Sequence, residues 1–238
     1  GVVTRKNALF LCAVELLLGS FVLGLVNPTV AALGAANWVL YVAVYTPLKR
    51  VSAVNTWVGS IVGAVPPLMG GVAAAGTVTA PAALLGTLLL VWQIPHFMGL
   101  SFHCRRDYKA AGYKMLVFYN PWRASLYAVL MSLLMAIITI GGPDAIGITV
   151  EVWYYPTVLV ANAVMVYKAW LFHSDPKLHC RGCFVFSYVY LSIVLTAFVL
   201  NHAEPVGKLI ALCRRLGGNP SINVNVDTSN NCVAEAEE

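Results

Sequence analysis

Residues 30–50 read VAALGAANWVLYVAVYTPLKR: sixteen uncharged, mostly apolar positions, then Thr46-Pro47-Leu48 and two adjacent cations, Lys49 and Arg50. A bilayer core accepts about 20 such residues of helix. Working outward, six further runs share the pattern, giving 8–26, 30–45, 56–77, 81–102, 124–140, 152–171 and 183–200. None alternates apolar with polar as barrel strands do, and helices are the other way to satisfy a backbone in lipid. The expectation is an all-α, polytopic membrane helical bundle over residues 1–200. A polar, weakly ordered tail is expected over 201–238, which ends Glu235-Ala236-Glu237-Glu238.

Composition agrees. Of 238 residues, 59% are hydrophobic and 11% charged, against roughly 25% charged in soluble domains. So few charges cannot cover a soluble surface. A soluble domain, a disordered chain and a nucleic-acid partner are excluded. The chain starts at Gly1, with no secretory signal pattern, so a processed or partial chain is expected.

The cations orient the bundle. Arg5 and Lys6 precede the first run, and Lys49 and Arg50 follow the second. Arg105, Arg106, Lys109, Lys114 and Arg123 sit between the fourth and fifth; Lys168, Lys177 and Arg181 flank the sixth-to-seventh connection. These all fall on one side. The tail carries the other three, Lys208, Arg214 and Arg215. By the positive-inside rule the N-terminus lies on the cytoplasm-like or matrix-like side.

Unusual polar residues gather on that same face. Lys49-Arg50 reads either as a membrane anchor or as an anion clamp, since an Arg fork and a Lys point charge together suit phosphate. Tyr45, Ser52 and Asn55 are candidate neutral donors beside it. On the fourth run, Gln93, His96, Leu100, His103 and Asp107 recur at spacings of 3, 4, 3 and 4, one face of a continuous helix that Pro95 should kink. Intramembrane polar groups are costly and face cavities or partners, although a buried histidine also serves as a hydrogen-bonded structural residue. Asp107, the one acid among the cations of its loop, reads either as an ion-pair partner of Arg105 or Lys109 or as a Mg²⁺ ligand, because Mg²⁺ takes one or two carboxylates plus substrate phosphates. Pro66-Pro67 and Gly59, Gly63, Gly70 and Gly71 read as close helix packing. Glu15 is expected to face the bundle interior. Cys180 and Cys183 form a single C-x-x-C with no second pair, favouring neither haem attachment nor a zinc site.

Four ordered segments then carry a resemblance. Tyr45-Thr46-Pro47-Leu48-Lys49-Arg50 with Asn55 resembles the Y-T-x-L-K-R…N signature of heme O synthases, a branch of the UbiA-type intramembrane prenyltransferase superfamily. Ala64 to Gly71 looks like that branch's G-A-x-P-P-x-x-G segment, Trp92 to Phe97 its W-Q-x-P-H-F, and Asp107 to Gly112 its D-Y-x-x-A-G. The match covers roughly residues 3–200 and looks more like the mitochondrial branch than the bacterial one. The resemblance implies a nine-helix fold of which seven helices are present. The first two, with the polar motif N-x-x-x-D-x-x-x-D, have no counterpart here. Tyr113-Lys114 departs from the apolar residue and proline of many relatives.

The resemblance further implies transfer of farnesyl from farnesyl diphosphate to a vinyl group of heme b, with Mg²⁺, in the mitochondrial inner membrane (alternatively a bacterial plasma membrane) and with the site facing the matrix. It assigns Lys49, Arg50 and Arg106 to the diphosphate, Asp107 to Mg²⁺, and Tyr45 and Tyr108 to orienting the site. His96, then His103, would position heme or handle protons, with Gln93 and Asn55 lining the substrate. Heme A synthase and cytochrome oxidase assembly factors are the implied protein partners. The competing readings are an inactive fragment of such an enzyme, another UbiA-type prenyltransferase, and a transporter. A receptor would invert the charge orientation, and a retinal protein needs a lysine in its last helix, which 183–200 lacks.

Overall fold

The computed structural model describes residues 4–201. The predicted tail, with Lys208, Arg214 and Arg215, lies outside the described residues. Ten α-helices and one π-helical turn follow in order: α1 Arg5–Val26, α2 Pro28–Val39, the π turn Leu40–Tyr45, α3 Thr46–Val51, α4 Asn55–Ala75, α5 Ala80–His103, α6 Arg105–Ala110, α7 Leu116–Tyr119, α8 Pro121–Ala145, α9 Tyr154–Ser174 and α10 Pro176–Asn201. α2, the π turn and α3 make one continuous rod.

Local chemistry sets the starts. Asn27 Oδ1 accepts from Thr29 N at 2.7 Å, Asn120 Oδ1 from Arg123 N at 2.9 Å, and Asp175 Oδ1 from Lys177 N at 3.0 Å. Each of these acceptors is followed by proline, whose missing N–H costs nothing in the first turn. α4 ends where Gly76 turns left-handed, at φ +77°.

The seven long helical units match the seven sequence runs. Six are long and apolar enough to cross a membrane. The exception is α9, which has the length, at 21 residues, but carries Asn162, Lys168 and His173. The seventh run grows most at its start: α10 begins at Pro176, so the Cys180–Cys183 pair sits inside a helix, with both thiols free and buried. α5 runs without interruption through Pro95.

α5, α8, α9 and α10 form the core group, α4 packs on the free flank of α5, α2 on α4, and α1 on α2. Leu88, Ile94, Met98, Met135, Met165 and Phe172 fill the core. A buried polar knot ties three of its helices: Tyr190 Oη donates to Asn162 Oδ1 at 2.9 Å, and Asn162 Nδ2 donates to Thr139 Oγ1 at 2.8 Å. α1 is the outlier. Leu9, Phe10, Leu17, Phe21 and Leu25 are exposed along it, as suits a lipid-facing helix. This corrects one expectation: Glu15 is exposed, because α1 packs on α2 alone instead of being enclosed by the bundle.

Candidate functional site

The charged rim is built around Lys49. Its Nζ lies 4.3 Å from the Tyr45 ring centroid, 5.6 Å from Tyr41 and 5.9 Å from Tyr113, all within cation–π range. The π turn makes this possible. Pro47 has no N–H, the ladder slips, and Thr46 donates both its N–H and its Oγ1–H (2.9 Å) to Tyr41 O. The wider turn keeps Tyr41 and Tyr45 on one side, with ring centroids 5.4 Å apart. Such π insertions concentrate at functional sites. On α4, Gly59 leaves room for Tyr45: a Cβ there would lie 2.7 Å from its ring.

A clip fastens the α6–α7 loop to this rim. Asn55 Nδ2 donates to Ser52 O at 2.6 Å and to Lys114 O at 2.7 Å, and Lys114 N donates to Lys49 O at 2.7 Å. Tyr113 is thereby carried over Lys49. Tyr108 follows, 5.9 Å from Tyr113 and 6.1 Å from Phe97. Burial pushes the Tyr108 phenol above its usual range, with Cys104 and Tyr113 adding to the shift, so it stays a protonated donor. The structure gives Asn55 a different task from the one expected. It is 0% exposed and both its amide hydrogens are spent on carbonyls, so it holds the rim together and is no donor to a substrate. Tyr113, which entered the sequence reading only as a departure from the family, is the residue that reading missed. A tyrosine one position before a loop lysine was its signal.

The polar stripe on α5 divides. Gln93 turns to α4, where Nε2 donates to Ser60 O at 3.0 Å across Gly63, whose missing side chain admits it. His96 turns to α10. It stacks on Trp92 at 4.7 Å and meets Tyr188 at 4.7 Å and Phe184 at 5.0 Å; exposed His103 lies 6.5 Å from the same Phe184. α4 and α10 do not pack closely on one another, so the stripe lies in the opening between them. His96 is seven residues before the end of α5, about 10 Å along its axis.

Ser187 Oγ sits between Phe184 O, at 2.6 Å, and His96 Nδ1, at 2.8 Å. When the hydroxyl donates to the carbonyl, Nδ1 is the donor of the second contact and Nε2 keeps a lone pair; when it donates to Nδ1, the tautomer reverses.

Arg50 and Asp107 are exposed on the rim. Arg106 lines a separate chamber with Arg105, Lys109 and Lys177. Tyr45, Lys49, Asn55 and Tyr108 thus come together, His96 and His103 share Phe184, and Gln93 stands apart, bonded to α4. Among the described residues no three His, Cys, Asp or Glu side chains converge. Asp107 offers one carboxylate, a donor set that fits a Mg²⁺ arriving with its own phosphate oxygens.

The sequence profile of the UbiA prenyltransferase family matches residues 1–194. A mitochondrial protoheme IX farnesyltransferase of Neurospora crassa is 42% identical over 214 residues, covering 82% of this chain and 41% of that protein. The human mitochondrial protoheme IX farnesyltransferase is 39% identical over 184 residues, covering 76% and 41%. The chain thus spans about two fifths of the length of these relatives. A solved structure of a digeranylgeranylglyceryl phosphate synthase superposes with a TM-score of 0.68 at 21% identity, over 84% of this chain and 71% of that one, a likeness of fold. By profile, relatives and fold alike, the chain belongs to the UbiA prenyltransferase family.

Proposed function

We propose that the chain carries prenyl-transfer chemistry for heme O synthesis: farnesyl passes from farnesyl diphosphate to a vinyl group of heme b in the mitochondrial inner membrane, the charged rim facing the matrix. Two observations together carry this reading: a histidine boxed by Trp92, Phe184 and Tyr188, and a lysine caged by Tyr41, Tyr45 and Tyr113 at the charged end of the bundle.

The C1–O bond of the farnesyl diphosphate breaks and its electron pair leaves with the diphosphate. Lys49 and Arg50 balance the charge that develops, while Arg106, expected there from the resemblance, lines the separate chamber instead. Tyr45 and Tyr108 hydroxyls orient the phosphate oxygens. Mg²⁺ held by Asp107 would add further neutralisation when bound. The allylic cation is screened from bulk water by the bundle and faced by the rings of Trp92, Phe184 and Tyr188. The vinyl π electrons form the new C–C bond to C1. Water then captures the ring-adjacent cation, and its released proton goes to His96 Nε2, in the tautomer whose hydrogen is on Nδ1. Gln93, bonded to Ser60, shapes the α4 wall.

The test is reconstitution of the chain in liposomes with farnesyl diphosphate and heme b, with product read by reverse-phase chromatography and mass. Heme O is expected, and His96→Ala should lower its rate by about a hundredfold, the lower range for a lost acid–base group. An unchanged rate in His96→Ala, with heme still bound, refutes the assignment.

A further inference from the structure

On the far side of α6 from Tyr108 lies a cavity of about 720 Å³. Arg105, Arg106, Lys109 and Lys177 line its wall, with Phe102 and Phe118 beneath. Arg105 is held over Phe102, its guanidinium carbon 5.0 Å from the ring centroid. Positive-inside topology explains cations on this side of the membrane, but not four of them converging on one concavity. Asp175 is the sole acid in the lining, and its Oδ1 already accepts from Lys177 N and Leu178 N, at 3.0 and 3.2 Å, as the cap of α10. The chamber therefore keeps a net positive charge.

Its depth is set by the helix ends. Phe102 is in the last turn of α5, Pro121 opens α8, Ser174 closes α9 and Pro176 opens α10. Four long helices, three of them membrane spans, terminate around it, which places it at the level of lipid phosphates. A basic recess between helices at that level, with an apolar floor, matches the chemistry of an anionic headgroup.

We propose that this chamber is a binding site for a phosphate-bearing anion, supplied by an anionic phospholipid headgroup and separate from the Lys49 cage. Arg105 and Lys109 on α6 and Lys177 on α10 then grip one ligand, pinning the short α6 that carries Tyr108 and Asp107 to the end of the bundle. The ligand would thus brace one half of the rim.

The test is native mass spectrometry of the full chain released from micelles and titrated with dioleoylphosphatidylglycerol. Dioleoylphosphatidylcholine is the zwitterionic comparator, and sodium diphosphate the soluble competitor. Wild type should retain the glycerol lipid over the choline lipid, and the triple variant Arg105→Gln, Lys109→Gln, Lys177→Gln should bind it at least tenfold more weakly. Arg106 is left intact, and Lys6→Gln on α1 should change nothing. Thermal melting checks folding, and the single Lys177→Gln replaces the triple variant if that one melts early. If diphosphate protects wild type from heat more than it protects the variant while neither lipid discriminates, the site stands with a free anion as its source. Equal binding of lipid and diphosphate by wild type and variant, or an equal loss in Lys6→Gln, overturns it.

Discussion

Replacing Asn55 isolates the contacts that hold the two halves of the rim together. Asn55 makes two side-chain bonds, both through Nδ2, to Ser52 O at 2.6 Å and Lys114 O at 2.7 Å, while its buried Oδ1 has no partner among the described residues. Asn55→Ala therefore deletes two hydrogen bonds and strands no donor at Oδ1. Only the bond to Lys114 O reaches the α6–α7 loop, so at about 1 kcal/mol net its local closure weakens roughly fivefold. The Lys114 amide reports it directly, because it donates to Lys49 O at 2.7 Å within the same clip. Hydrogen exchange followed by mass spectrometry in nanodiscs should show Lys114 losing protection about fivefold, with the α8–α10 core unchanged. Asn55→Asp should be worse than alanine, since a carboxylate oxygen replaces the donor and faces two carbonyls. Equal protection of Lys114 in wild type and Asn55→Ala, or an Asp variant as protected as wild type, refutes the clip.

Two further outcomes follow from named contacts. Ser187→Ala removes the hydroxyl partner of His96 Nδ1; losing one such bond, about 1 kcal/mol, should weaken heme b binding about fivefold in a Soret titration, whereas an unchanged titration in Ser187→Ala alongside a large loss in His96→Ala detaches the serine from the site. Asn162→Leu strands the Tyr190 hydroxyl and takes a donor from Thr139 Oγ1, which keeps its own bond to Met135 O; at about 0.6 kcal/mol per interhelical bond in a membrane protein, SDS-induced unfolding should show a loss of about 1 kcal/mol, and no change would mean that water or another group satisfies the knot.

The helices were legible because burial in lipid demands long uninterrupted apolar runs, and each of the seven runs lies within or overlaps its helix. What remained illegible was how far past the last apolar residue a helix continues. α10 starts seven residues before its run because Asp175 caps it and Pro176 fits its first turn, a signal carried by two polar-side residues that hydropathy discards. Glu15 failed for the opposite reason. An acid inside an apolar run implies a partner, but the run does not say which faces of its helix are covered, and α1 is covered by α2 alone.

The site shows the same division between spacing and contact. Periodicity placed Gln93, His96 and His103 on one face of α5, and α5 does run unbroken through them. Yet a face is about 100° wide, and two different helices flank it. Gln93 bonds α4 because Gly63 leaves a hole there, and His96 bonds α10 because Ser187 stands opposite. Neither partner is within 30 residues of the residue it binds, so no local pattern reveals the choice. The same holds for Tyr113, which reaches Lys49 only because Asn55 fastens a loop 59 residues away. The residues proposed to bear chemistry are named from type, spacing and resemblance. The residues that aim them, Ser187, Gly63, Gly59 and Asn55, are small or neutral, and their role exists only once the helices are side by side. Substitutions at those four positions should therefore alter geometry with little change in charge, which makes them the sharper probes of whether the rim and the histidine act as one site.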